Sequence, residues 1–177
     1  MSQKALDRLQ STLPQALVER YQDVSGAHWA IVAPEFLIPL LRCAKEELGF
    51  RLFISMDAVD RLQLPVNKPR FEVLYFLYSV EENEHLRLKV LVDENAPVLP
   101  SAHAVFQGAN WAERSVWDFY GIRFDGHPDL RRIFLYEEFE GHPLRKDYPL
   151  RGRQPLMPER PHGIEEAFCG PGSNRPA

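Results

Sequence analysis

The sequence predicts a single α+β domain with a mixed, largely antiparallel sheet, flanking helices and an extended C-terminal arm. Apolar residues recur at helical spacing in some segments, and in others they alternate or run together as in strands. A short acidic link joins two adjacent strand-like segments, which is typical of an antiparallel hairpin. The length of 177 residues suits one domain with its own core. We predict the α+β domain at 1–120, a turn segment at 121–150 and the arm at 151–177.

The N-terminal part predicts a helix, a strand and a second helix. Leucines and a tyrosine recur every three or four residues over 6–21, which predicts a first helix despite Pro14. A short strand is predicted at 29–33. The helical spacing that follows, over 37–48, predicts a second helix, and Gly49 is placed to end it.

Three strand-like segments follow at 50–56, 71–80 and 86–93. The second is continuously apolar, which predicts an interior strand covered on both faces. In the third, apolar residues alternate with Arg87 and Lys89, so one of its faces is expected to contact water. The short link after residue 80 predicts that the last two strands form an antiparallel hairpin.

A third helix is predicted from Ser101, as its N-cap, to Tyr120, with Gly121 ending it. Arg114 and Asp118 are four residues apart, a spacing that favours an ion pair on a helix. Asp118 stands between two aromatic residues and is expected to be buried, as a cap or bound to Arg114, Arg131 or Arg132. A continuous apolar run further predicts a strand at 132–136.

The motif Phe-acid-Gly-His-Pro occurs twice, at 124–128 and at 139–143. Its glycine can adopt a positive φ and its proline fixes φ, so each copy is expected to form a rigid turn. Basic pairs follow both copies, Arg131-Arg132 and Arg145-Lys146. We expect this segment to present charge to another molecule.

Composition limits the class of that molecule. The net charge of −4 does not favour nucleic acid, and residues 121–153 carry seven basic against six acidic side chains. The two cysteines, Cys43 and Cys169, are far apart and predict neither a disulfide framework nor a metal cluster, so a reducing compartment fits best. No apolar stretch is long enough to cross a bilayer, and we expect a cytoplasmic location.

No residue pattern for a known reaction is found. The six histidines lack metal-ligand spacing, and there is no phosphate-binding glycine loop or nucleophile elbow. His127 and His142 each precede a proline and are expected to bond a carbonyl or a carboxylate. The arm at 151–177, with five prolines and four glycines, cannot form a core and is expected to be disordered or held by a partner.

The segment 111–149 resembles the C subunit, of the 30 kDa type, of proton-pumping NADH:quinone oxidoreductase, respiratory complex I. The resemblance is carried by WAER at 111–114, WDFYGI at 117–122, GHPDLRRI at 126–133 and GHPLRKDYP at 141–149. One difference is Ser115, where the family usually has a second glutamate. We expect the signature and partner-interface residues to be Trp111, Glu113, Arg114, Asp118, Gly126, His127, Pro128, Arg131, Arg132, Gly141, His142, Pro143, Arg145, Lys146, Asp147 and Tyr148.

The resemblance implies a scaffold subunit without an active site of its own. It implies no flavin, iron-sulfur cluster or quinone in this chain, with FMN and the clusters in partner subunits. The expected partners are the D-, B- and I-type subunits in a hetero-oligomer, peripheral on the cytoplasmic side of the bacterial inner membrane. The alternatives are an equivalent subunit of a related respiratory, hydrogenase-type or photosynthetic complex, a free-standing enzyme that uses His127 and His142, and a nucleic-acid binder.

Overall fold

The structure is a computed structural model that describes residues 3–64, 69–151 and 154. The helices are α1 (Gln3–Thr12), α2 (Leu37–Glu46) and α3 (Ala109–Tyr120). The strands are β1 (Leu17–Gln22), β2 (His28–Val32), β3 (Leu52–Asp60), β4 (Phe71–Ser79), β5 (Glu84–Val92), β6 (Val98–Pro100) and β7 (Arg123–Asp125). Short 3₁₀ turns at Pro34–Phe36 and Ala102–Ala104 precede α2 and α3.

Five strands form one sheet in the order β1-β2-β5-β4-β3. Strands β2 and β5 run parallel, and the other three neighbouring pairs run antiparallel. Strands β6 and β7 form a separate parallel pair. The predicted α+β class, with a mixed and largely antiparallel sheet, is confirmed, and so is the β4–β5 hairpin.

The core lies between one face of the sheet and the helices. Alternate residues of β4 and β5 are buried in one cluster with leucines of α1 and α2. The alternation follows from the strand period of two, because odd and even residues point to opposite faces. Strand β4 lies inside the sheet as predicted, but Leu74, Phe76 and Tyr78 on its other face are only half-buried. The prediction that both faces of β4 are fully covered is therefore wrong.

The first predicted helix is too long. Helix α1 ends at Thr12, and Leu17 and Tyr21 lie on β1, which pairs with β2. Pro14 has no N–H to continue the helical ladder, and β2 offers backbone partners for the residues after it. The leucine spacing alone could not distinguish these two outcomes.

The third predicted helix is two elements. Ser101 caps the 3₁₀ turn by accepting a hydrogen bond from the His103 N–H, and α3 begins only at Ala109. Gly121 ends α3 with φ of +73°, as predicted. Of the three predicted partners of Asp118, Arg132 binds it and Arg114 does not. The predicted strand at 132–136 is wrong, because Asp118 binds the backbone of these residues, as described below.

No helix in the described ranges combines the length and the apolarity that a membrane span requires. The predictions made for the arm fall outside the described residues, apart from residues 151 and 154.

Candidate functional site

The predicted site residues meet where the segment 124–151 folds back over α3. At the centre is Asp118, which is fully buried on α3. Its Oδ2 accepts three consecutive backbone N–H groups, those of Ile133, Phe134 and Leu135, at 3.1, 2.9 and 3.0 Å. Its Oδ1 accepts a hydrogen bond from Arg132 Nη1 at 2.7 Å.

These bonds decide both the backbone of 132–136 and the charge of Asp118. Because their N–H groups point at one carboxylate, the three residues cannot form a strand ladder. Burial raises the pKa of Asp118, but the hydrogen bonds from Leu135, Arg132, Phe134 and Ile133 together outweigh it and lower the pKa. Asp118 is therefore charged at neutral pH and holds the returning chain on α3.

Arg132 extends this connection to the second copy of the repeated motif. Its Nη2 donates to the carbonyl oxygens of Phe139 at 2.8 Å and Gly141 at 3.1 Å. Its guanidinium also lies over the Trp117 and Phe139 rings, 5.6 and 5.7 Å from their centroids. Arg132 therefore holds the second turn in place through contacts within the chain.

His142 and Arg145 bind the C-terminal end of α3. The His142 Nδ1–H donates to the Asp118 carbonyl at 3.0 Å, and Arg145 Nε donates to the Tyr120 carbonyl at 2.6 Å. Desolvation lowers the pKa of His142, which keeps its ring neutral. The two side chains satisfy carbonyl groups that the end of a helix leaves without intrahelical partners.

His127, in the first copy of the motif, makes the corresponding contact at the other end of α3. Its side chain is fully buried, and its Nε2–H donates to the Asn110 carbonyl at 3.1 Å. Its Nδ1 accepts the Asp129 N–H at 3.0 Å, which assigns the tautomer. Both histidines thus bond carbonyls, as predicted, and the two copies of the motif bind opposite ends of one helix.

A second buried carboxylate, Glu113, binds the turn before α3. It accepts hydrogen bonds from Ser101 Oγ and from the Ala102 N–H, both at 2.6 Å. Desolvation outweighs these two bonds and raises the pKa of Glu113 to about 7. Nearby lie His127, whose Nε2 is 4.0 Å from Glu113 Oε2, and the buried Tyr75, whose pKa is raised by its burial and by Glu113.

Both glycines of the motif adopt the predicted positive φ, +81° at Gly126 and +87° at Gly141. A Cβ at Gly141 would lie 3.0 Å from Tyr148, whose ring stacks on Phe139 with centroids 6.1 Å apart. Space around Gly126 is open, with nothing within 4 Å of a Cβ there. The second copy is therefore closely packed and the first is open at its glycine. Pro128 and Pro143 complete the two turns.

An ion-pair network attaches the end of the segment to the sheet. Asp60, at the end of β3, accepts the Lys146 N–H at 2.8 Å and two bonds from Arg70, at 3.0 and 2.8 Å. Arg70 also binds Asp147 at 2.6 Å. Burial raises the pKa of Asp60, and the bonds from Arg70, Lys146 and Leu62 outweigh it, so the pKa is lowered. The Lys146 side chain remains exposed.

The outer side of α3 carries an exposed aromatic residue, Trp111. Trp111 is 65% exposed and lies over Arg114, whose guanidinium carbon is 5.0 Å from the ring centroid. Arg114 itself is buried and donates to the carbonyl oxygens of Arg131 and Arg132 at 3.0 and 3.3 Å. Arg114 therefore binds these two carbonyl oxygens instead of Asp118, one of its predicted partners. The Arg131 side chain is exposed and paired with Asp129.

The structure therefore brings the predicted site residues together on and around α3. The internal contacts of Arg132 and Arg145 differ from the sequence-based expectation that both present charge outward. Sequence reasoning also missed Asp60, Arg70 and Ser101 as parts of the site. The sequence carries no local pattern for the bond between Asp60 and Lys146, which are 86 residues apart.

The chain matches the family model described as respiratory-chain NADH dehydrogenase, 30 Kd subunit, over residues 30–154. The C subunit of the NADH-quinone oxidoreductase of Trichlorobacter lovleyi is 42% identical, with 84% of this chain and 90% of that protein covered. The corresponding protein of Methylobacterium sp. (strain 4-46) is 44% identical over 82% of this chain, and the match spans 66% of its length. NADH-ubiquinone oxidoreductase subunit 9 of Reclinomonas americana is 46% identical over 68% of this chain and 58% of that protein.

Two solved structures share the fold. One is the trypsin-resistant fragment (1–134) of Nqo5, with a TM-score of 0.63 and 27% identity over 72% of this chain and 97% of that chain. The other is a chain of the membrane-bound sulfane sulfur reductase, an archaeal respiratory membrane complex, with a TM-score of 0.66. It is 24% identical over 84% of this chain and 88% of that chain, so the likeness is one of fold.

Proposed function

The chain belongs to the family of the respiratory-chain NADH dehydrogenase 30 kDa subunit, and on this basis we propose a specific role for it. It is a non-catalytic scaffold subunit in the peripheral arm of an NADH:quinone oxidoreductase. It supports electron transfer from NADH to quinone, coupled to proton translocation, without carrying the electrons. Tunnelling between cofactors depends steeply on distance, so a subunit that fixes the positions of its neighbours affects turnover.

The observation that carries this proposal is that polar side chains around α3 bond within the chain, whereas large apolar side chains are exposed. Polar groups of the signature, among them the buried Asp118 and the half-buried Arg132 and His142, form their hydrogen bonds inside the chain. Two large apolar side chains of the same region, Trp111 and Phe134, are mostly exposed. A rigid frame that exposes aromatic side chains is typical of a protein-binding surface.

The proposal extends to partners and cofactors. The D-, B- and I-type subunits are the proposed neighbours, and FMN and the iron-sulfur clusters reside in partner subunits. The proposed location is peripheral, on the cytoplasmic side of the bacterial inner membrane, with contact to the membrane only through the complex. The exposed aromatic surface supports the first of these points, because a partner would remove it from water.

The alternative of a free-standing enzyme that uses His127 and His142 is disfavoured by their surroundings. The His127 side chain is fully buried, and both of its ring nitrogens are occupied by backbone groups. A general base must reach the proton that it removes, and this ring does not reach solvent. An equivalent subunit of a related complex remains the second candidate, since the fold also occurs in the sulfane sulfur reductase.

Affinity isolation tests the proposal. The chain, tagged at its N-terminus, is expressed in the organism from which it comes, in place of the untagged copy. The membranes are then extracted with a mild detergent. We expect NADH:quinone reductase activity and iron-sulfur absorbance to copurify with the tag. A complex without NADH activity would support the related-complex alternative, and recovery of a lone, colourless protein would contradict both.

A further inference from the structure

The outer side of α3 and the loop beside it form one aromatic surface. We define this aromatic face as Trp111, Ser115, Phe119 and Phe134. The first three share one side of the helix because they are spaced by four residues, and they span about 12 Å along its axis. Phe134 joins them because its ring stacks on that of Phe119, with centroids 5.2 Å apart. Trp111 and Phe134 are 65% and 64% exposed.

Contacts within the chain hold this face in place before any partner binds. Arg114 lies beneath the Trp111 ring and is itself bound to two carbonyl oxygens. The Phe134 backbone is held by Asp118, and its ring by Phe119. A partner that covers the face therefore has little side-chain or loop motion to restrict, which lowers the entropic cost of association.

The stretch of chain that follows Phe134 is acidic. Glu137, Glu138 and Glu140 follow Phe134 closely in the chain, and all three are exposed. Within the described ranges none of these carboxylates forms an ion pair, whereas the neighbouring exposed cation, Arg131, is already paired with Asp129. The chain beside the face thus carries three glutamates that no ion pair among the described residues compensates.

We infer that the aromatic face binds a protein partner that presents an apolar pocket bordered by lysine and arginine side chains. This inference rests on the proposed function, within which the partner is another subunit of the same complex. An apolar pocket would remove the Trp111 and Phe134 rings from water, and basic side chains would compensate the three glutamates. Nucleic acid and anionic lipid fit less well, because the three glutamates repel them.

Charge reversal in the tagged chain tests this inference. In the Glu137→Lys/Glu138→Lys variant we expect about tenfold less iron-sulfur absorbance to copurify than with the unchanged chain. The neutral Glu137→Gln/Glu138→Gln variant should lie between the two. The matched control is Glu46→Lys/Glu47→Lys, an adjacent exposed glutamate pair at the end of α2, which should copurify as the unchanged chain does.

Two further measurements complete the test. Complexes of each variant are washed with increasing KCl. The unchanged chain should be retained to a higher KCl concentration than the Glu137→Gln/Glu138→Gln variant, because it begins with more charge attraction to the partner for salt to screen. Urea unfolding of each purified variant shows whether the domain still folds. A Trp111→Ser variant, which removes an exposed ring while Arg114 keeps its bonds to two carbonyl oxygens, should also copurify less.

The outcomes separate the inference from the proposed function. If the unchanged chain brings down active complex and the charge-reversed variant does so equally well, the basic partner is excluded while the scaffold role stands. If the charge-reversed variant assembles better, the partner border is acidic and the inference is overturned. If the unchanged chain brings down no complex, the proposed function itself fails.

Discussion

Two buried carboxylates on α3 differ in charge because they differ in hydrogen bonds. Asp118 accepts three backbone N–H groups and an arginine, and these bonds keep it ionised despite its burial. Glu113 accepts only a hydroxyl and one N–H, and no arginine or lysine compensates it among the described residues, so burial dominates. The same helix therefore carries one permanent charge and one group that titrates near neutral pH.

Glu113 should make the stability of the protein depend on pH between about 4.5 and 7. Its folded pKa is raised, so its contribution to stability is complete below the ordinary value and is lost as the pH rises through 7. We expect Glu113→Gln, which stays neutral, to gain up to about 3 kcal/mol relative to the unchanged chain between pH 4.5 and 8. The measurement is the free energy of urea unfolding across that range.

The Glu138→Gln variant makes the same change at an exposed glutamate and is the control, and its free energy of unfolding should stay within about 0.5 kcal/mol of that of the unchanged chain. His127 and Tyr75 lie near Glu113, His103 lies beside His127, and all three are left unaltered in both variants. If the free energy of unfolding of Glu113→Gln runs parallel to that of the unchanged chain across this pH range, Glu113 titrates at its ordinary pKa.

At the scale of elements, the end of α3 is fixed by a single glycine. Gly121 has φ of +73°, and a Cβ at this position would lie 2.5 Å from the His142 ring and 2.7 Å from Arg145 Nη2. The second copy of the repeated motif therefore packs directly on the glycine that ends the helix. No side chain fits there without moving the turn.

We expect Gly121→Ala to lower the free energy of unfolding by about 3 kcal/mol, because backbone strain and the collision with His142 add. Gly126→Ala is the matched control, since it has the same kind of φ but open space around the new methyl group. It should cost only about 1 kcal/mol. Urea unfolding of both variants gives the comparison, and equal losses would mean that the second turn does not pack on Gly121.

At the scale of the whole molecule, the segment that follows the second motif is attached to the sheet through Asp60 and Arg70. The side chains of both are buried, and they connect the ends of β3 and β4 to Lys146 and Asp147. Among the described side-chain contacts of the site, this network spans the longest sequence separation, 86 residues between Asp60 and Lys146. It holds the segment that lies beside α3 against the sheet.

Arg70→Leu should destabilise the protein by about 3 kcal/mol, because it leaves the buried Asp60 without its cation. It should also speed hydrogen exchange in residues 144–151 more than in β5. Arg51→Leu, which removes an exposed ion pair with Glu81, should cost less than about 1 kcal/mol. If 144–151 exchanges no faster in Arg70→Leu, the attachment of this segment does not depend on the network.

Features that depend on neighbours along the chain could be predicted from the sequence. The β4–β5 hairpin, α2, the glycine that ends α3 and the positive φ of both motif glycines follow from periodicity and from the conformational freedom of glycine. The signature over 111–149 also sufficed to indicate the family.

Features that depend on which groups meet across the chain required the three-dimensional structure. Residues 17–22 have spacing that fits a helix, but they form β1 because β2 lies beside them with free backbone groups. Residues 132–136 look like a strand, but Asp118 binds their N–H groups. Arg132 and Arg145 turn inward for the same reason, since buried carboxylates and carbonyls must be satisfied. Such pairings depend on proximity in space, which local spacing does not encode.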